Sequence, residues 1–150
     1  MMNCVSWNCR GFGNSTKSEA VNDLIRMASP NVLMLQETKI DEESLLSISS
    51  KSWKLNVGKA VSSRGTAGGI ATLWNISDFI LENSLKSQHW IFTQLCHIPS
   101  KKVYCLFNLY VPINLQEKRE CWNSLPPFLD ANSFSNLIIV EDLNLILNAK

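Results

Sequence analysis

Val32-Leu33-Met34-Leu35-Gln36-Glu37-Thr38-Lys39 is the stretch that decides the fold class. Four consecutive apolar residues after Pro30-Asn31, ending on a polar group, suit a short strand buried inside a sheet. The stretch before it reads as a helix. Thr16 with Glu19 three residues later forms a capping-box start, and Ala20, Val21, Leu24, Ile25 and Ala28 follow at helical spacing until Pro30. Further upstream, Asn3 to Asn8 reads as another strand, entering a turn at Arg10-Gly11-Phe12-Gly13. The N-terminal quarter is therefore strand, helix, strand.

Downstream the same alternation continues. Asp41 to Ser47 is expected to be a short helix, Trp53 to Val57 a strand, and Gly69 to Trp74 a stronger one entered through Arg64-Gly65-Thr66-Ala67-Gly68. Phe79 to Ser84, Trp90 to Ile98 and Val103 to Tyr110 have strand composition, with Lys101-Lys102 at a hairpin turn. Gln116 to Leu125 is helical and is stopped by Pro126-Pro127. Asn136 to Val140 is a last buried-type strand, followed by a loop at Glu141-Asp142-Leu143-Asn144. The expected fold class is mixed α/β.

Composition agrees with one globular domain over residues 1–150. Hydrophobic residues make up 45% and charged residues 18%, enough apolar material for a core. The net charge of +1 neither requires nor excludes a nucleic-acid partner, because a basic patch can sit on a neutral chain. Five cysteines without short paired spacing argue against a disulfide framework and against a zinc knuckle. Reduced, mostly buried thiols in a nuclear or cytoplasmic protein are the expectation. The N-terminus lacks a basic, then apolar, leader pattern, so the chain is expected not to be secreted, and no stretch is long enough to span a membrane.

Position carries the chemistry. Four expected strands end in a polar residue able to serve a phosphate site: Asn8, Glu37, Tyr110, and the pair Asp142 with Asn144. Strand ends of a packed sheet bring distant side chains to one crevice. Magnesium needs only one or two carboxylates beside waters and phosphate oxygens, and Glu37 and Asp142 are candidates. Asn8 and Asn144 supply neutral amides, the Tyr110 phenol supplies a donor for a developing phosphorane oxygen, and Asp142 a base or orienter for water. Taken singly, each has an ordinary reading as a turn, surface or core residue. Arg10, Arg64, Lys101 and Lys102 are candidate phosphate contacts, with solvated surface charge as their ordinary role.

Val5-Ser6-Trp7-Asn8-Cys9-Arg10-Gly11, Leu35-Gln36-Glu37-Thr38-Lys39, Gly68-Gly69-Ile70-Ala71, Asn108-Leu109-Tyr110-Val111-Pro112 and Val140-Glu141-Asp142-Leu143-Asn144 occur in the order and spacing of one family. The sequence resembles the endonuclease/exonuclease/phosphatase superfamily. More narrowly, it looks like the apurinic-type endonuclease domain of plant-like non-LTR (LINE) retrotransposons. The resemblance covers a little over half of that domain, its N-terminal part. It implies a four-layer α/β sandwich, two facing sheets with helices outside. It also implies Mg²⁺-assisted (Mn²⁺ is an alternative) attack of water on a DNA phosphodiester, and in an intact element a reverse-transcriptase domain as partner. Asn8 and Glu37 match the metal-site residues, Tyr110 the tyrosine near the scissile phosphate, and Asp142 and Asn144 the residues that position the water. Arg10 is a weaker phosphate contact.

Two departures follow from the same resemblance. The family word at the last strand begins with glycine, and here that position is Glu141, which adds bulk and a like charge beside Asp142 unless it points to solvent. The family's histidine and its aspartate partner are expected beyond Lys150, and His89 and His97 read as ordinary core or surface histidines. The truncated chain is thus expected to be inactive. The alternatives are a non-catalytic retroelement relic or truncated gene model, and another phosphatase or phosphodiesterase of the superfamily. A dinucleotide-binding module is the rival of another class, resting on Gly11-Phe12-Gly13 and the acidic Glu37, but it leaves Tyr110 and Asp142 unexplained.

Overall fold

The computed structural model describes residues 2–12, 15–53, 55, 57–65, 67–130, 134 and 136–142, with backbone only at 15, 128 and 130. The chain order is β1 (Cys4–Asn8), α1 (Ser15–Ala28), β2 (Val32–Gln36), α2 (Glu42–Ser52), β3 (Val57–Val61) and β4 (Ile70–Trp74). It continues through β5 (Phe79–Lys86), β6 (Trp90–His97), β7 (Val103–Tyr110), α3 (Leu115–Asn123), a 3₁₀ turn (Pro127–Asp130) and β8 (Leu137–Asp142).

The strands form two four-stranded sheets, ordered β1-β2-β4-β3 and β5-β6-β7-β8. Both are mixed. β1 runs parallel to β2 with Asn8 opposite Gln36, and β7 runs parallel to β8 with Tyr110 opposite Asp142. The remaining pairs are antiparallel.

Three apolar layers hold the sheets and helices together. Val32 and Met34 of β2 and Trp74 of β4 pack against Phe79, Leu95 and Leu106 of the second sheet, so the sheets face each other. The first sheet's other face, with Leu33, Leu35 and Leu73, packs on Val21 of α1 and Leu45 of α2. Phe92, Phe107 and Leu109 of the second sheet pack outward on Cys121 of α3. Helix, sheet, sheet, helix is the four-layer α/β arrangement that the family resemblance implies.

Several boundaries differ from expectation. α1 already includes Ser15, so Thr16 is a helical residue rather than its cap. α2 extends to Ser52 because Asp41 caps it through the Ser44 N–H at 2.8 Å and Leu45 and Ser49 are buried beneath it. Trp53 does not open a strand, and Lys54 and Asn56 of the expected strand lie outside the described residues. Trp53 caps α2, and the strand lies at β3, paired along its length with β4. Asp142 is the last residue of β8 rather than part of a turn. Among the described residues no helix is long and apolar enough to cross a membrane.

Candidate active site

The four strands that carry the candidate residues all end at one pole of the sandwich. Parallel pairing puts the C-terminal ends of β1 and β2 side by side, and those of β7 and β8 likewise, while facing of the sheets brings the two pairs together. Cross-strand partners share a face. Asn8 and Gln36 therefore face the second sheet, and Tyr110 and Asp142 face the first.

Two hydrogen bonds close the gap. The Tyr110 hydroxyl donates to Glu37 Oε1 at 3.1 Å, and Asn8 Nδ2 donates to Asp142 Oδ2. The Asn8 amide is oriented by its other end, where Oδ1 accepts the Arg10 N–H at 3.0 Å. Tyr110 is 8% exposed, so its hydroxyl bond lies at the edge of the core rather than in bulk solvent. Four of the five residues expected at the centre thus meet. Asn144 lies outside the described residues.

Glu37 owes its aim to its backbone. In a regular strand, consecutive side chains leave on opposite faces. Yet Gln36 donates to Asn108 Oδ1 at 2.9 Å and Glu37 accepts from Tyr110, so both reach the same face of β7. A left-handed φ of 51° at Glu37 breaks the alternation. Such a conformation costs a non-glycine residue about 1–2 kcal/mol and persists only where its surroundings fix it.

The surroundings are backbone. Gly11 N–H donates to Glu37 O at 2.7 Å and Phe12 N–H to Thr38 O at 3.0 Å. On the other side, Thr38 N–H and Lys39 N–H donate to Gly69 O and Gly68 O at 3.1 and 2.9 Å. Gly69 has φ of 90°, and a Cβ there would stand 2.2 Å from Thr38 Oγ1. The Gly68-Gly69 word is the mould of the Glu37 loop, a role that spacing alone did not reveal.

The second feature missed by sequence reasoning lies just behind the site. Asn108, fully buried, donates through Nδ2 to Ala71 O at 2.9 Å, while Gln36, 2% exposed, also donates to Ser6 Oγ at 3.1 Å. Both residues fall within words singled out in the sequence. Nothing in the spacing links two amides 72 positions apart.

The other candidates are placed as follows. Arg10 is exposed with φ of 52°, and its side chain makes no hydrogen bond or ion pair among the described residues. Arg64 lines a cleft of about 250 Å³ beside Tyr110, with Gly68, His89, Pro112 and Ile113. Lys101 and Lys102 lie in the turn before β7, at its far end from Tyr110. The His97 ring packs at a tilt against Phe79 and contacts Ser100 Oγ at 2.7 Å, also away from the site. Burial, then the Arg64 charge, lower the pKa of His89, opposed by Glu117 and Glu120. A larger cavity of about 560 Å³, lined by Arg26, Trp53 and Asp78 among others, opens near the C-terminal end of β4 at the opposite pole, far from this chemistry.

Glu141 is exposed, sits in the regular β8 ladder opposite Leu109 and has no left-handed φ. The backbone there does not need glycine, and alternation directs Glu141 away from Asp142. The expected clash of the two carboxylates is thereby relieved.

All five cysteines are free, with Cys9, Cys105 and Cys121 buried. Burial pushes the Cys9 thiol up to about 12, a rise that Glu37 reinforces and Lys17 opposes.

The donor set suits a hard, oxygen-seeking cation. Glu37 Oε2 makes no hydrogen bond among the described residues, and Asn8 Oδ1 keeps a second lone pair beside the Arg10 N–H. Among the described residues no three histidines, cysteines or carboxylates gather into a closed metal cage.

Comparison with known proteins agrees with this fold. No curated protein matches the chain in sequence. Among solved structures, humanized D. rerio TDP2 superposes with a TM-score of 0.69 at 14% identity, covering 97% of this chain and 67% of that one. D. rerio TDP2 complexed with single-strand DNA product matches at 0.65 and 13%, over 97% and 61%. A mannosyl-6-phosphatase of Bacteroides thetaiotaomicron gives 0.71 at 10%, over 100% and 68%. The AP endonuclease LMAP of Leishmania major gives 0.62 at 20%, over 96% and 55%. The chain thus spans between about half and two thirds of these structures, and at such identities the likeness is one of fold. Residues 5–82, more than half of the chain, match the sequence profile of one family. On that match and this fold, the chain belongs to the Endonuclease/Exonuclease/phosphatase family.

Proposed function

We propose that the pole formed by Asn8, Glu37, Tyr110 and Asp142 is the N-terminal part of a divalent-metal phosphodiesterase site that acts on DNA. The observation that carries this reading is the meeting of four strand-end polar residues from both sheets through two cross-sheet hydrogen bonds. Side chains from distant parts of the chain that converge at the ends of packed strands form the kind of crevice where ligands bind.

The residues divide the work. Asn8 fixes the rotamer of Asp142 through Oδ2, leaving that carboxylate to orient water and accept its proton. Tyr110 donates its hydroxyl proton to Glu37 Oε1 in a hydrogen bond, and its phenol would stand near the phosphate. Glu37 and Asn8 would hold Mg²⁺ or Mn²⁺, which when bound supplies charge stabilisation at the phosphoryl oxygens and a more acidic water. Exposed Arg10, two residues after Asn8, would meet a phosphate next to the site.

DNA is preferred over a sugar phosphate because the words around Asn8 and Glu37 resemble the retrotransposon endonuclease branch. Two structural relatives, an AP endonuclease and a TDP2 complexed with single-strand DNA product, support that choice by analogy. On the same resemblance we read the chain as the N-terminal part of a nuclear or cytoplasmic retroelement protein with a reverse transcriptase as partner. On the same resemblance the 150-residue chain, which spans about two thirds of the matched TDP2 structure, is expected to be inactive by itself.

Supercoiled plasmid with Mg²⁺ tests these statements. The 150-residue chain should leave it intact. A version completed with the C-terminal part of a structural relative should nick it and lose the activity in Asp142→Ala and Glu37→Ala. Nicking by the short chain would overturn the incompleteness, and a folded, completed protein that never nicks would overturn the endonuclease reading.

A further inference from the structure

Gln36 and Asn108 form a polar bridge across the middle of an apolar sandwich, with Gln36 Nε2 donating to Asn108 Oδ1 at 2.9 Å and Asn108 Nδ2 donating to Ala71 O at 2.9 Å. Longer contacts of 3.4 Å run from Asn108 Nδ2 to Leu35 O and to Thr72 Oγ1, itself fully buried. For stability alone this bridge is a poor choice. Burying two amides forfeits their hydration, and an apolar pair of the same shape would serve packing about as well.

What hydrogen bonds give that apolar contacts do not is register. Apolar surfaces tolerate sliding, whereas a bond at 2.9 Å fixes its partners to a few tenths of an ångström. Each amide is adjacent to one member of the site. Gln36 immediately precedes Glu37, and Asn108 lies two residues before Tyr110 on the same face of β7. Leu35 and Ala71 carry the bond partners on β2 and β4, so Asn108 grips both central strands of the first sheet.

We propose that Gln36 and Asn108 are positioning residues that lock β2 and β4 against β7 and so set the approach of the Glu37 carboxylate to the Tyr110 hydroxyl. The consequence for metal affinity rests on the metal-site reading above, whereas the positioning itself does not.

The test uses the 150-residue chain with carbon-labelled tyrosine, which contains only two tyrosines, Tyr104 and Tyr110. Glu37→Gln first defines how far the Tyr110 Cζ resonance moves when the carboxylate is removed. The double variant Gln36→Met/Asn108→Leu replaces both amides by apolar side chains, leaving neither unsatisfied, and Gln36→Met alone serves if the double variant does not fold. A positioning role predicts, in a variant that still folds cooperatively, the Tyr110 resonance moved toward its Glu37→Gln position and Mn²⁺ affinity lowered ~10-fold, as for outer-shell partners of metal ligands. A Tyr110 resonance unchanged in a folded variant would overturn the proposal. Absence of Mn²⁺ binding by the wild type would remove the metal reading alone, because the tyrosine resonance still decides the positioning.

Discussion

Strands β2 and β7 face each other along their length, but the two halves of the contact are built differently. At one end Val32 and Met34 of β2 meet Leu106 of β7 in an apolar layer. Two residues further along each strand stand Gln36 and Asn108, and beyond them Glu37 and Tyr110. Every second residue faces inward up to Gln36 and Tyr110, and the left-handed φ of 51° at Glu37 turns that side chain inward as well. One pair of strands thus passes from apolar core through an amide bridge to ionisable side chains. The apolar end supplies stability without demanding a particular register. The polar end gives up hydration to gain one.

Mutations at the two ends should therefore separate stability from geometry. Leu106→Ala, in the apolar half, is expected to cost about 2–5 kcal/mol in chemical denaturation while the folded fraction keeps the wild-type Tyr110 resonance. A shifted resonance there would mean that the halves are not independent. Gly69→Ala attacks the mould of the Glu37 loop, where a Cβ meets Thr38 Oγ1 at 2.2 Å and φ is 90°. Roughly 2 kcal/mol of destabilisation is expected from the strain, this time with loss of the Glu37 to Tyr110 bond. A crystal structure or the same resonance would report it.

Tyr110→Phe removes one hydroxyl donor and should cost about 1.5 kcal/mol, since its acceptor is a carboxylate. An unaltered unfolding midpoint would show that the bond is not formed in solution. The smallest effect belongs to His89, beside Tyr110 but outside the polar bridge. Its pKa is lowered in the folded state, first by burial and then by Arg64. The unfolded chain therefore takes up the proton first, and stability falls as pH drops through the ordinary histidine value and below it. His89→Gln should flatten that part of the pH profile, measured by denaturation between roughly pH 7 and 5.

The apolar half was legible in the sequence, and the polar half only in part. Val32 to Leu35 announced a buried strand because a continuous short apolar run has few other uses. Asn8, Glu37, Tyr110 and Asp142 were found because each closes a strand. Their coordination was not visible, because Gln36 and Asn108 look like ordinary strand polar residues until the sheets are stacked. Val57–Val61 was missed for a related reason. Gly58 and Lys59 weaken its strand pattern, yet a Cβ at Gly58 would stand 2.4 Å from Leu73 Cδ2, so close packing on β4 selects the glycine and the pairing. Ser47 to Ser52 has poor helix propensity and is helical because Ser49 is buried and Asp41 caps the start.

The proposed function requires a divalent cation at the pole joining both sheets. Titration of the 150-residue chain with Mn²⁺, following free metal by electron paramagnetic resonance, measures this without depending on turnover. One bound Mn²⁺ per chain, lost in Glu37→Ala and displaced by Mg²⁺, is the predicted result. No saturable binding by the folded wild type, or binding undiminished in folded Glu37→Ala, would contradict it.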